Sequence, residues 1–332
     1  MFTESNQPEI VSLLKQHLSV YKRTNYGKVI LLGGVLIVGM VSNFIGLLNQ
    51  ESEHIAVIQI SGEIGTQEDT GNGKKISEHI LAAIKNDNAK VIVIEASSPG
   101  GAPTDAQTIN EVIVKYKQWK APLSAETRTN ILESIANPAV MFEDSQPIKT
   151  QSQKQERKPI VAVITKQCAS ACIQAVINAD VIIAQRASLV GNIGVRLDSP
   201  NWSELANKLG VTNTVVTSAD LKDVLNPWKA IDPKQLQLVK DTLIKPVFEQ
   251  FKSDVLFARA DRLVVDEETL FSGMAWTGSQ SVSFGLVDVT SNPIEVRSAL
   301  ESLYGHPYKT YSKDSFNLGA FISNPFASLY GS

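Results

Sequence analysis

The sequence predicts an α/β domain with a mostly parallel sheet, carried behind one N-terminal transmembrane helix. Two observations carry the sheet. From His54 onward short apolar strands alternate with amphipathic helical stretches, and the strands are apolar at nearly every position rather than at every second one. Such strands are buried on both faces, as parallel strands joined by covering helices are, and each crossover is expected to be right-handed. A third observation carries the transmembrane helix: Val29 to Leu48 reads VILLGGVLIVGMVSNFIGLL, twenty residues without a charge.

At about 1.5 Å per helical residue this run spans the roughly 30 Å hydrocarbon core of a bilayer. Lys15, Lys22, Arg23 and Lys28 precede it, Glu51 and Glu53 follow it, and the next basic residue is Lys74. That asymmetry keeps residues 1–28 in the cytoplasm and sends the chain beyond Leu48 to the extracytoplasmic side. A cleaved signal peptide would show an apolar region of about 7–15 residues and a small-residue cleavage site. Here the run is longer and NQESEH follows it, so the segment reads as an uncleaved, N-in, single-pass anchor of the cytoplasmic membrane.

The elements of the domain follow in order. IAVIQI (55–60) is a strand ended by Ser61-Gly62, and residues 74–85 place Ile76, Ile80, Leu81 and Ile84 at helical spacing. VIVIEA (91–96) is a second strand, followed by a helix over 104–118 with Ile109, Val112, Ile113 and Tyr116 on one side. IVAVIT (160–165), a small-residue helix to about Ala179 and VIIA (181–184) continue the alternation. Beyond Val216 the pattern gives a loop (217–232), a long helix from Pro233 to Phe251, another over 253–262, and a turn, short helix and closing strand over 271–289. Residues 120–158 break the rhythm, with Pro122, Pro138, Pro147 and the polar run TQSQKQERK. They read as an insertion, either a lid or a surface loop, in which Ile131, Leu132, Ile135, Val140, Met141 and Phe142 would form a short helix with something to pack against. Residues 54–300 form the domain, and 301–332, aromatic and rich in Gly and Ser, read as a poorly ordered tail.

Composition narrows the function. With 31 basic and 34 acidic side chains in 332 residues there is no charge excess of the kind nucleic-acid binders carry. A 43% hydrophobic content excludes disorder throughout. Cys168 and Cys172 are too few for a disulfide scaffold or an all-cysteine zinc site, and His17, His54, His79 and His306 have no metal-binding spacing. No metal and no cofactor are expected. At helical i, i+4 spacing the two cysteines read as small buried thiols rather than a bridge.

Two segments could carry chemistry. Ser97-Ser98-Pro99-Gly100-Gly101 closes a buried strand and opens a helix, so its glycines can turn backbone N–H groups toward a bound oxygen. It lacks the glycine spacing of the nucleotide-phosphate loops. Lys166-Gln167-Cys168-Ala169-Ser170-Ala171-Cys172 follows the next strand, at the carboxyl end where active sites of such sheets gather. Ser170 there is either a helix N-cap or a nucleophile. None of the histidines sits at a motif, so a serine nucleophile would need another base. A lysine with a free amine could serve, but spacing alone does not select which one.

Five segments in register resemble the signal peptide peptidase A family of membrane-anchored serine proteases, over about His54 to Asp288. EASSPGG (95–101) resembles the family's N-S-P-G-G, and CASACIQAVINADVIIA (168–184) the stretch with the nucleophile. SLVGNIGV (188–195) is similar to T-L-T-G-S-I-G-V, SADLKDVLNP (218–227) to S-G-x-x-K-D-x-x-S-P, and WTGSQSVSFGLVD (276–288) to the closing T-G-x-x-A-x-x-x-G-L-V-D. The resemblance implies a Clp/crotonase-like fold of stacked βαβ units and a Ser/Lys dyad, with Ser170 as nucleophile and Lys222 as general base. It implies an oxyanion hole from the N–H groups of Gly101, Gly100 and Ala171. The family's lysine-orienting serine is Asn192 here. Departures are Ala171-Cys172 in place of a glycine pair, Ile173-Gln174 in place of an aromatic pair, and Ser97 in place of asparagine.

The function implied is a serine endopeptidase cleaving membrane-associated peptides such as remnant signal peptides, with the catalytic domain on the periplasmic or extracytoplasmic side. Its partners would be those peptides, membrane lipid and further copies of the chain in a ring or dome, and no nucleic acid. The alternative is a catalytically inactive peptide-binding scaffold of the same fold.

Overall fold

A computed structural model describes residues 11–20, 52–141 and 157–312. The chain divides into two units, Met1–Ser52 and Glu53–Ser332. In the first, residues 11–20 form a helix, α1, exposed along its length. The apolar run 29–48 lies outside the described residues; among those described, no helix is long and apolar enough to cross a membrane.

The second unit is a mixed α/β structure. Strand β1 (His54–Ser61) leads through α2 (Gly73–Lys85) to β2 (Ala89–Ser98), and β2 through α3 (Pro103–Trp119) and α4 (Ala125–Ala136) to β3 (Ile160–Ala169). Then come α5 (Ala171–Val176), β4 (Val181–Ala184), β5 (Leu189–Gly191) and α6 (Ser203–Lys208). Helices α7 (Pro233–Val239), α8 (Lys245–Arg259) and α9 (Glu267–Leu270) precede β6 (Ala275–Thr277), α10 (Gly278–Ser283), β7 (Val289–Thr290), α11 (Pro293–Tyr304) and β8 (Tyr308–Thr310). The sheet runs β6-β5-β3-β2-β1-β8, with β4 and β7 branching from β3. Every pairing is parallel except β5 with β6.

Strand β3 makes the branch. Its first half pairs with β4 (Val161↔Val181 to Ile164↔Ala184) and its last residues pair with β5 (Gln167↔Leu189 to Ala169↔Gly191). Two different strands therefore share one side of β3, and β5 is the one that reaches its end.

Alternate strand residues feed two cores, as the period-two geometry of a strand requires. Ile58, Ile92, Ile94, Ala162 and Ile164 face α2, α3 and α5, where Ile76, Ile80, Ile109 and Ile113 meet them. Val91, Val93, Val161, Val163 and Ile183 face the other way and are covered by Val296 and Leu300 of α11 and by Ile131 and Ile135 of α4. Burying one such side chain contributes about 1.5–3 kcal/mol. Helix α4 is thus part of the second core, a packed helix inside the insertion rather than a lid or a bare surface loop over residues 125–136. The Ile131–Ile135 stripe is the reason, since one helical turn aligns both side chains on the sheet. Ser124 caps the helix by accepting the Thr127 N–H.

Two further expectations change. The helices expected over 233–251 and 253–262 are one helical run, Pro233–Arg259, interrupted by a π turn at Lys240–Ile244. Pro246 follows that turn and has no N–H to offer the preceding carbonyls, so the wider turn accommodates it. The tail expected to be loose from 301 is ordered as far as 312. Helix α11 runs to Tyr304, and Tyr308, Lys309 and Thr310 pair in parallel with Ile55, Ala56 and Val57. Ser312 Oγ accepts the Gln59 N–H at 2.8 Å.

Candidate active site

Register builds the site. Ser98, near the end of β2, lies opposite Cys168 on β3. The Pro99-Gly100-Gly101 turn and the Ala169-Ser170-Ala171 turn therefore leave the sheet side by side. They touch: a Cβ added to Gly100 would stand 2.9 Å from both the Ala169 carbonyl oxygen and Ser170 Cβ. Gly100 and Gly101 have φ of +112° and +143°, conformations that only glycine adopts without strain.

Neighbours hold the glycine turn. Ser98 Oγ accepts the Gly100 N–H at 3.1 Å. Ile64 donates its N–H to the Gly100 carbonyl and accepts the Ala102 N–H, each at 2.8 Å. The Gly101 N–H has no partner among the described residues. Of the two glycines, Gly101 is the one with a donor to spare, because the N–H of Gly100 is already taken.

Ser170 stands at the N-cap position of α5 but does not cap it. Its φ is 52° and ψ −122°, and its hydroxyl forms no hydrogen bond among the described residues. An N-cap serine has extended backbone and accepts an N–H of the first turn; Ser170 has neither feature. Its backbone is fixed instead from both sides. The Ser170 N–H donates to the Gly191 carbonyl at 2.8 Å, and its carbonyl accepts the Gln174 N–H at 3.2 Å. Ala171 opens α5 with ordinary helical backbone, and as the first helical residue its N–H has no intrahelical acceptor. A half-buried hydroxyl with the free N–H groups of Gly101 and Ala171 beside it suits attack on a carbonyl whose oxygen needs two donors.

The β3–β5 pairing also brings Asn192 to this end of the sheet. Its φ is 50°, its N–H donates to the Met274 carbonyl at 2.8 Å, and its side-chain amide donates to the Gly273 carbonyl at 2.6 Å. Lys222 is not brought in. It sits on a short 3-10 turn, Asp220–Asp223, exposed, and its side-chain amine makes no hydrogen bond or ion pair among the described residues. The neighbouring carboxylate does not hold it: Asp223 is engaged by Lys229 and Asn226, and the hydrogen bond from Lys229 draws the Asp223 carboxyl below its usual range.

Cys168 and Cys172 form a disulfide, with Cα atoms 5.1 Å apart. This corrects the expectation of free thiols. The i, i+4 argument assumed one helix, whereas Cys168 is the next-to-last residue of β3, Cys172 lies in α5, and the positive-φ turn at Ser170 folds one toward the other. Sequence reasoning also missed Ile64, which carries no motif and acts only through its backbone, and Gly191, whose carbonyl anchors Ser170. Among the described residues no group of histidine, cysteine or acidic side chains could hold a metal ion.

A model of peptidase family S49 matches residues 152–305, a stretch that contains Ser170, Asn192 and Lys222. An Enterococcus faecium protein provisionally named a signal peptide peptidase is 27% identical over 210 residues, covering 63% of this chain and 49% of that protein. Both findings liken the chain to the signal peptide peptidase A family. A Methanocaldococcus jannaschii protein provisionally named a protease is 24% identical over 262 residues, 76% of this chain and 71% of that one. A Brucella abortus protein named a Na(+)/H(+) antiporter is 27% identical over 227 residues, 68% of this chain and 25% of that protein. The chain thus spans about a quarter of that relative's length. Against that family's pattern the chain departs just after Ser170, where Ala171 and the bridged Cys172 stand in place of a glycine pair.

Proposed function

We propose that this chain is a membrane-anchored serine endopeptidase of the Ser/Lys type with a Clp/crotonase-like domain. Ser170 Oγ attacks a peptide carbonyl, the N–H groups of Gly101 and Ala171 hold the oxyanion, and Lys222, as a free amine, takes the serine proton. The amine returns that proton to the leaving nitrogen, and water then releases the acyl-enzyme with the same lysine as base. The observation that carries this reading is the backbone of Ser170. A non-glycine residue at φ 52° with an uncommitted hydroxyl is strained, and strand-turn-helix placement of that kind presents a nucleophile to substrate.

Lys222 reaches a site of this kind from a second copy of the chain in a ring or dome. What supports this is the segment around it: Trp202, Leu205, Leu209, Val216, Leu221, Trp228 and Ile231 are all exposed, and apolar side chains in that density call for a covering partner. Substrates are extended, membrane-associated peptides such as remnant signal peptides, and residues 29–48 anchor the enzyme with its domain on the extracytoplasmic side. The inactive-scaffold alternative gains nothing from the site, since both dyad positions are present.

The test is labelling of the detergent-solubilised chain with a fluorophosphonate, comparing wild type with Ser170→Ala and Lys222→Ala. Label on wild type that vanishes in both variants is expected. Mixing the two variants restores label if the lysine comes from a neighbouring copy. Label that survives Ser170→Ala would overturn the assignment of the nucleophile.

A further inference from the structure

We infer that the Cys168–Cys172 disulfide is the positioning device for the nucleophile. It takes over the work of the missing glycine pair by locking Ser170 into its positive-φ turn, so that full reactivity of Ser170 requires the oxidised bridge. This rests on the reading of Ser170 as nucleophile.

The geometry is a closed ring around one residue. Cys168 belongs to β3, with its place fixed by Ser98 on one side and Val190 on the other. Cys172 belongs to the first turn of α5. The bridge joins them at a sequence separation of 4, with Ser170 midway. Both half-cystines are fully buried in the core that includes Ile164, Ile173 and Val190, so the strand end and helix start cannot move apart without breaking either the bond or the packing.

Ser170 needs such a clamp. Serine at positive φ is unfavourable because its Cβ crowds the backbone. The two backbone hydrogen bonds on Ser170 are the other restraints on its peptide groups, and one of them comes from α5, which has only six residues. A helix that short does not hold its own conformation. With the bridge opened, Ser170 can relax to negative φ. Its Oγ and the Ala171 N–H then swing away from the Gly101 N–H that shares the oxyanion. A displacement of about 1 Å at reacting atoms costs on the order of 10²-fold in rate. An extracytoplasmic domain would keep the bridge oxidised.

The experiment measures the fluorophosphonate labelling rate of the full-length chain in detergent. Wild type is compared with Cys168→Ser/Cys172→Ser, and with wild type reduced by dithiothreitol and then reoxidised with oxidised glutathione. Dithiothreitol gives two electrons and two protons to the bridge and becomes a cyclic disulfide, and glutathione disulfide reverses this by forming two glutathione thiols. The expected result is a bridge in unreduced protein by peptide mapping, a labelling rate at least tenfold lower without it, and recovery on reoxidation. Ile131→Ala, a destabilised control far from the turn, keeps its labelling rate. If the double variant does not fold, reduced wild type supplies the comparison. Two free thiols in unreduced wild type, or a rate within twofold after the bridge is lost, would overturn the inference. Wild type that takes no label sinks the nucleophile assignment instead. The clamp is then judged by hydrogen exchange at the Ser170 N–H, which must quicken at least tenfold in the double variant; an unchanged exchange rate overturns it.

Discussion

The Gly191 carbonyl accepts the Ser170 N–H at 2.8 Å, so the last residue of β5 holds the strained residue that follows the last of β3. The strand that fixes the backbone of Ser170 also leads directly into Asn192, at φ 50°. Branching of the sheet at β3 makes this possible: a strand pairing only with β4 would end at Ile164↔Ala184 and leave the Ser170 turn without a neighbour on that side.

Strain at Ser170 predicts an inverse relation between stability and activity. Holding a non-glycine residue at φ 52° costs roughly 1–3 kcal/mol, and glycine removes most of that cost. Ser170→Gly and Ser170→Ala both lose all labelling, but the glycine variant is expected to be more stable than the alanine variant by about 1 kcal/mol. That difference corresponds to about 2–4 °C in melting temperature for a domain of this size. Equal melting temperatures would mean that the turn relaxes freely and that the backbone is not strained.

Gly100→Ala is expected to disable the site without removing any reacting atom. The new methyl group would meet the Ala169 carbonyl oxygen and Ser170 Cβ at 2.9 Å, at a backbone φ of +112°. Neither neighbour is the far end of a flexible side chain, so the two turns must separate. A loss on the order of 10²-fold in labelling rate follows from displacement of the nucleophile. Labelling within threefold of wild type, in protein that melts normally, would show that the turns are not interdependent.

Much of the fold was legible because apolar patterning is a local signal. The four strands β1 to β4 and the helices between β1 and β3 follow from residue type alone. Strand β5 and β6 are three residues each, LVG and AWT, too short for a periodicity to declare itself. The role of α4 was hidden because Ile131 and Ile135 reveal a helix but not which face of the sheet it covers. In the site, Ser170 and the glycines were readable from glycine chemistry and from family resemblance. The disulfide was not, because its geometry depends on a backbone angle at Ser170 that no spacing rule contains. Lys222 is the opposite case: a motif marks it, and the described chain leaves it in solvent.

The place of α4 in the second core predicts a large cost for truncating it. Ile131 is fully buried between the sheet and α11, and Ser134 Oγ donates to the Ala299 carbonyl at 3.0 Å, fixing the same contact. Ile131→Ala is expected to cost about 2–5 kcal/mol, read as a fall in the urea midpoint. A cost below about 1 kcal/mol would return the segment to the class of tolerated surface insertions.

Asp288 predicts how stability responds to acid. Its side chain is 3% exposed, and Oδ1 accepts from Arg128, Arg259 and Arg262 at 2.8, 2.9 and 3.2 Å. Oδ2 accepts the Ile182 N–H at 2.7 Å, so one carboxylate ties α4, α8 and β4 together. Burial by itself would raise this carboxyl, but the hydrogen bond and charge of Arg259 outweigh it and hold the pKa below the ordinary value of 3.8. A carboxyl lowered in the folded state binds fewer protons there than in the unfolded chain. Its contribution is therefore complete above the unfolded pKa and is lost as pH falls through the folded one. Asp288→Asn leaves buried guanidinium charge unpaired and is expected to cost about 3–5 kcal/mol at pH 7. The gap between wild type and variant should narrow steadily below about pH 4, as wild type loses what the variant never had. Urea midpoints measured for both proteins from pH 7 down to pH 3 test this. A gap that stays constant over that range would show that the carboxylate's charge is not what holds the three elements together.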